Sequence, residues 1–249
     1  MSHSSHLSVV PGPVQAKAKN RLLGTLSTSD FELINPYFEE LSLKCGYVLG
    51  QPHIPFDYVY FPESAVASVV ATTPDGHQIE VGIFGREGMS ATPVLLGVNE
   101  SPHDTYIQLE GNALRLSVQS LHHVIAQSAS LHQHLLRYVQ VFNVQVAHTA
   151  LSHGGYTIQA RLARWLLMCH DRLDGNELPL IHDFLALMLG VRRPGVTEQL
   201  HHLEGMHAIR ATRGMITVLS REKLLTIAGE SYGVPEAEYE RVIGQGRCG

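Results

Sequence analysis

The chain has 249 residues, 44% hydrophobic and 16% charged, which suits a soluble globular protein large enough for two modest domains with separate cores. No apolar run approaches the ~18 residues of a membrane span and no basic-then-apolar leader pattern opens the chain, so the expected location is cytoplasmic, away from membranes. Net charge is −5, and the three cysteines, Cys45, Cys169 and Cys248, are too scattered for a disulfide framework, which fits a reducing compartment.

Residues 1–20, rich in Ser, His, Pro and Gly with little periodicity, read as a flexible arm. Residues 21–120 are strand-like. Tyr58–Pro62, Ala65–Thr73 and Gln78–Phe84 are short β-rich runs, and Pro74-Asp75-Gly76 supplies a turn between the last two. Tyr106–Gly111 and Ala113–Val118 continue the pattern, and short strands at even spacing predict a β-roll or jelly roll. A helical stretch follows from about Val118 to Leu151, and residues 121–153 are assigned to a dimerisation helix and hinge. Along it Leu131, Leu135, Val139, Phe142, Val146 and Ala150 step by three or four residues, forming an apolar seam. We expect the seam to face a second copy; the alternative is that it packs on the β-roll of its own chain. His153-Gly154-Gly155 then ends the helix and offers a hinge.

Residues 154–230 read as a winged helix-turn-helix, and 231–249 as a C-terminal tail. Leu180, Phe184, Leu185, Met188 and Leu189 form the apolar stripe of a short helix, and Gly190 stands where a left-handed helix end costs nothing. A second helix opens with Arg192 and Arg193, tolerates Pro194 in its first turn, and is anchored by Val196, Leu200 and Leu203. Arg192, Arg193, Thr197, Glu198 and His201 are then left facing outward. Arginine pairs bidentately with guanine or with phosphate, and both remain open here. Arg210–Leu219 reads as a hairpin carrying Arg210 and Arg213, the wing. Residues 21–150 hold five basic and twelve acidic residues, or −7, whereas 156–221 hold eight and six, or +2. Positive charge thus concentrates where DNA contact is expected. The fold class is α+β: an N-terminal β-roll, a long dimerisation helix and a C-terminal winged helix-turn-helix.

Ala160–Leu167, Gly190–Thr197 and Arg213–Arg221 together resemble the C-terminal domain of Crp/Fnr-type transcriptional regulators, the catabolite activator relatives. By that match Arg192, Arg193, Thr197 and Glu198 fall where the family reads bases and phosphates. Pro194 and Glu198 depart from its common acidic residue and arginine, and Ile181 stands where a capping hydroxyl is expected, leaving His182 or Asp183 to serve. Tyr58–Ser64, Asp75–Val81 and Gly85–Met89 resemble the family's cyclic-nucleotide-binding-like β-roll. Its phosphate cassette carries Gly-Glu and Arg-Ser pairs, where this chain aligns Thr92-Pro93 and His103-Asp104. An aspartate replacing the arginine repels a phosphate, so the cassette is degenerate and tight cyclic AMP or cyclic GMP binding is not expected. Gly85-Arg86-Glu87-Gly88 is a short Gly-rich loop compatible with an anion, a weak signal.

No cofactor or metal is predicted: the scattered cysteines cannot hold an iron–sulfur cluster, and His132 and His134 at i,i+2 do not share a helix face. Histidines could instead confer pH sensitivity. G-x-S-x-G, P-loop and H-E-x-x-H motifs are absent, so an enzyme is not expected. The resemblance implies a dimeric, sequence-specific regulator reading two half-sites in the major groove of double-stranded DNA, with RNA polymerase as a further partner and a small-molecule effector that the residues do not identify. The alternatives are a cyclic-nucleotide-responsive regulator and a protein-interaction module that does not bind DNA.

Overall fold

The computed structural model describes Gln15 and residues 18–244. Helices α1 (Arg21–Gly24) and α2 (Thr28–Ile34) precede seven strands: β1 (Glu39–Leu43), β2 (Val48–Gly50), β3 (Tyr58–Pro62), β4 (Val66–Thr72), β5 (Gln78–Phe84), β6 (Asp104–Leu109) and β7 (Gly111–Ser117). Then come α3 (Val118–Gln127), α4 (Ala129–Gly155), α5 (Ile158–His170), β8 (Glu177–Leu178), α6 (His182–Leu189) and α7 (Arg193–Gly205). Strands β9 (Ile209–Thr212) and β10 (Met215–Val218) and helices α8 (Arg221–Ala228) and α9 (Val234–Val242) follow.

The roll is two antiparallel sheets, ordered β1-β7-β3 and β2-β6-β4-β5. Alternation along the strands sorts its side chains into three cores. Leu43, Tyr60, Ala67, Phe84 and Ile107 fill the interior between the sheets. Val59, Phe61, Leu114 and Leu116 pack on the helices before and after the roll. Val66, Val70, Ile83 and Leu109 share one core with Leu162, Trp165, Leu185, Leu189 and Val196 of the C-terminal domain. The two expected separate cores are therefore joined through the second sheet.

Several boundaries differ from the sequence reading. The expected arm falls mostly outside the described residues, but Asn20 is fully buried and belongs to the fold. Its side chain accepts from Leu23 N to cap α1 and donates to the carbonyls of Pro62 and Gly88. The single helix expected from Val118 is two, because Ser128 sits at φ −132° and its hydroxyl caps α4 through Leu131 N at 3.1 Å. Ser117 caps α3 in the same way. The expected tail contains α9, whose Tyr239 and following Ile243 are buried against the roll-side helices. Cys248 lies outside the described residues.

Apart from its last residue, the exposed Ala150, the apolar seam packs within its own chain. Leu131, Leu135 and Val139 are buried in the helix-covered core, and Phe142 and Val146 are half-buried against β5. Gly82 makes this close approach feasible: a Cβ there would lie 2.6 Å from Phe142 Cζ. Gln145 on the same face accepts from Ile83 N at 2.8 Å. The seam therefore faces the roll, and a second copy would have to meet the opposite face of α4. That face carries Gln133, Leu136, Gln140, Asn143, Ala147, Ala150 and Gly154, all exposed but the half-buried Leu136.

Candidate nucleic-acid interface

Helix α6 ends at Gly190, which adopts φ +60° and ψ +39°. Val191 N donates to Ala186 O at 3.0 Å and Gly190 N to Leu187 O at 3.1 Å, closing the helix and reversing the chain. A Cβ at Gly190 would meet Ile79 Cδ1 at 2.8 Å, so the turn presses directly on β5. Ile181 precedes α6 without a side-chain cap. His182 does not substitute for it: its Nδ1 instead meets Thr197 Oγ1 at 3.1 Å, tying α6 to α7.

Val196, Leu200 and Leu203 are buried, so α7 presents its other side outward. Arg192, Arg193, Glu198 and His201 are exposed there. Thr197 departs from the expected outward placement: it is half-buried, and its hydroxyl also donates to Arg193 O at 3.1 Å. Pro194 brings no N–H to the start of α7 and Gly195 N donates to Arg192 O at 3.0 Å, but no side chain caps the helix, so the positive end of its dipole lies beside Arg192 and Arg193. That combination can hold a phosphate oxygen.

Strands β9 and β10 pair in register from Met215↔Thr212 to Val218↔Ile209, joined by Arg213-Gly214 with Gly214 at φ +77°. Arg213 is thus exposed at the wing tip, and Arg210 is exposed on β9. The Glu204 carboxylate accepts from Ala211 N at 2.7 Å and fixes the wing to the end of α7. Strand β8 adds a third member through Leu178↔Ile216, a pairing with too short a run to be read from sequence. The fold thereby gathers Arg192, Arg193, Arg210 and Arg213 onto α7 and the adjoining hairpin.

Sequence reasoning missed the polar contacts that dock this domain on the roll. Glu80, on β5, is buried; its Oε1 accepts from Trp165 Nε1 at 2.7 Å, and Oε2 accepts from Gln108 Nε2 at 3.3 Å and from the Ser68 hydroxyl. Burial pushes the Glu80 carboxyl up to about 7, against the pull of the Ser68 and Trp165 hydrogen bonds. Arg161 donates to Leu189 O and to the His153 ring. Burial and the Arg161 charge push His153 down to about 4, so it stays neutral at the end of α4. The only available signals were an acid inside an apolar strand and the single Trp on an apolar helix. The Gly85–Gly88 loop also differs from an anion cradle. Its Gly85 N–H meets the Glu87 carboxylate, and Arg86 donates to Arg172 O at 2.9 Å and to Asp174 at 2.9 Å.

Thr92 and Pro93 start a short 3₁₀ turn and His103 precedes β6; all three line a cavity of about 100 Å³ with Phe56, Phe84, Met89 and Phe142. Asp104 opens β6 opposite Val70 and is not on the cavity wall, so it does not supply the expected repulsion. What the cavity lacks is a cation, since no Arg or Lys lines it. His132 and His134 turn to separate backbone carbonyls, of Leu95 and Leu22. Among the described residues no helix is long and apolar enough to cross a membrane.

Residues 160–227 match a family model described as a Crp-like helix-turn-helix domain. In three dimensions the chain is similar to a protein of the crp/fnr family from Eubacterium rectale ATCC 33656, at 17% identity, covering 83% of this chain and 97% of that one with a TM-score of 0.64. FixK2 from Bradyrhizobium japonicum is similar at 16% identity, with 77% and 98% covered and a TM-score of 0.64. A CRP-family transcriptional regulator from Thermus thermophilus, TTHB099, is similar at 17% identity, with 76% and 97% covered and a TM-score of 0.64. No curated protein matches the chain in sequence.

Proposed function

We propose that this chain, a Crp/Fnr-type protein by its fold and by the helix-turn-helix domain at residues 160–227, is a homodimeric, sequence-specific DNA-binding regulator of transcription. The observation that carries the reading is the exposed group of Arg192 and Arg193 at the uncapped start of α7, beside Arg210 and Arg213 on the wing. Helix α7 enters the major groove with its N-terminus leading, and the wing follows the adjacent backbone. Glu198 and His201 lie further along the same exposed side and meet base edges or solvent; Thr197 contributes by orienting α7 through His182.

Two half-sites about one helical turn apart, ~34 Å, require a symmetric pair. Gln133, Leu136, Gln140, Asn143, Ala147, Ala150 and Gly154 step by alternating three and four residues on the outward face of α4, the spacing of a two-helix seam. Small residues in its second half allow close approach. Gly154 and Gly155 in the last turn of α4 serve as the hinge toward α5. The effector is not a cyclic nucleotide: the cavity by Thr92 and His103 is about 100 Å³ and cation-free, below the ~300 Å³ at which small-molecule sites begin.

Fluorescence-anisotropy titration of DNA fragments selected from a genomic pool tests the reading. Affinity should fall steeply with salt through counterion release. Arg193→Ala should weaken binding to the selected site by ~1–3 kcal/mol. Absence of DNA binding at micromolar protein would favour an interaction module instead, and unchanged affinity in Arg193→Ala would reject this orientation of α7.

A further inference from the structure

A larger cavity, of about 380 Å³, shares only Phe142 with the one beside Thr92. Its walls come from α1, the loop after β5, α4, the end of α5 and the segment carrying α9. That size lies within the range of small-molecule sites.

Its acidic groups are already engaged. Glu87 pairs with Arg172 at 2.6 Å, and Asp171 pairs with Arg221 at 2.6 Å and accepts from the Tyr232 hydroxyl at 2.6 Å. Glu236 accepts from Gly233 N at 3.0 Å, and Glu240 pairs with Arg21. Donors on three lining residues are not, the Tyr138 hydroxyl being one of them. Arg86 uses Nε and Nη1 on Arg172 O and Asp174, while its Nη2 is buried without a partner. The Tyr239 hydroxyl is likewise buried without one, its ring lying 5.1 Å from the Arg21 guanidinium. Buried polar groups are ordinarily hydrogen-bonded, so a missing partner at all three places asks for an explanation. Val141, Phe142 and Pro235 add an apolar wall.

We propose that this cavity is a ligand site for a small organic monocarboxylate with an apolar body. The guanidinium can only donate and the tyrosine hydroxyls can donate, so a ligand that brings acceptors satisfies all of them. One donor belongs to a guanidinium, whose preferred partner is a carboxylate. The acids already present disfavour a second negative charge, which argues against phosphates. Since the cavity takes residues from the roll and from the end of α5, an occupant contacts both units whose docking presents α7.

Calorimetry on the full chain without DNA tests this apart from the DNA-binding reading. Benzoate, phenylacetate and hexanoate serve as probes, with 2-phenylethanol and phenethylamine as neutral and cationic counterparts. At least one acid should bind one site per chain with a dissociation constant in the millimolar range or tighter, and about tenfold better than its counterparts. Tyr239→Phe should weaken that acid about tenfold while leaving the melting temperature unchanged or raised, because the hydroxyl it removes has no partner in the free protein. Arg86→Lys, which keeps the charge and loses Nη2, should weaken it as well. The proposal is overturned if no acid binds up to about 10 mM, if the alcohol or amine binds equally, or if both variants bind as wild type does.

Discussion

Replacing Glu80 by glutamine should remove a pH-dependent loss of stability that the fold imposes on itself. The Glu80 carboxyl is only 3% exposed, and burial raises it from 4.5 to about 7. The folded chain therefore holds a proton that the unfolded chain has already released between about pH 4.5 and pH 7. Stability must fall as pH rises through that window and level off above it. Integrated from pH 5 to pH 8, the group accounts for roughly 2–3 kcal/mol. Glutamine has the same shape and does not titrate. Its carbonyl can still accept from Trp165, and its amide can donate to Gln108 Oε1, which is buried and unpartnered. Urea unfolding of both proteins from pH 5 to pH 8, read by Trp165 fluorescence, supplies the comparison. Chain concentration must be held fixed because association shifts apparent stability. Subtracting the two curves cancels the titration of every histidine. The Glu80→Gln variant should gain roughly 2–3 kcal/mol on wild type across the range. Parallel curves would refute the argument, showing that Glu80 is not a buried, proton-holding contact between the roll and the winged domain.

Gly190→Ala should cost at least about 1–2 kcal/mol in urea unfolding, since alanine resists the left-handed conformation and its Cβ would meet Ile79 Cδ1 at 2.8 Å; a neutral result would mean that the turn is not pressed on β5. Leu135→Ala should destabilise the chain by about 2–5 kcal/mol through a cavity in the roll-facing core. Ala147→Glu, on the opposite face of α4, should instead yield monomers in light scattering while circular dichroism stays that of wild type; a dimer that survives this change would place the interface elsewhere. Calorimetry should detect no tight binding of cyclic AMP or cyclic GMP, and micromolar or better affinity for either would overturn the argument from the cation-free cavity.

Local chemistry made much of this fold legible. Pro74-Asp75-Gly76 marks the β4–β5 hairpin because few other residues make that turn cheaply. Gly190, Pro194 and the apolar stripes around them mark α6 and α7, because helix ends and helix faces are decided within a few residues. Strands β1 and β2 escaped notice: β1 alternates exposed and half-buried residues before Leu43, and β2 has three residues. The break at Ser128 was signalled by a capping residue that the long apolar period overrode.

Sequence by itself determined the helix-turn-helix, the wing and the basic bias of residues 156–221, because each rests on spacing or composition within a short stretch. It also determined that α4 has an apolar face. Only the tertiary structure decided what covers that face, since periodicity records that a stripe is buried and not whether a second copy or Gly82 of the same chain meets it. The same holds for Glu80 with Trp165 and for Glu87 with Arg172, each pair 85 positions apart. Contacts between residues so distant leave no local pattern, because the chain must fold before either partner can meet the other's charge or shape.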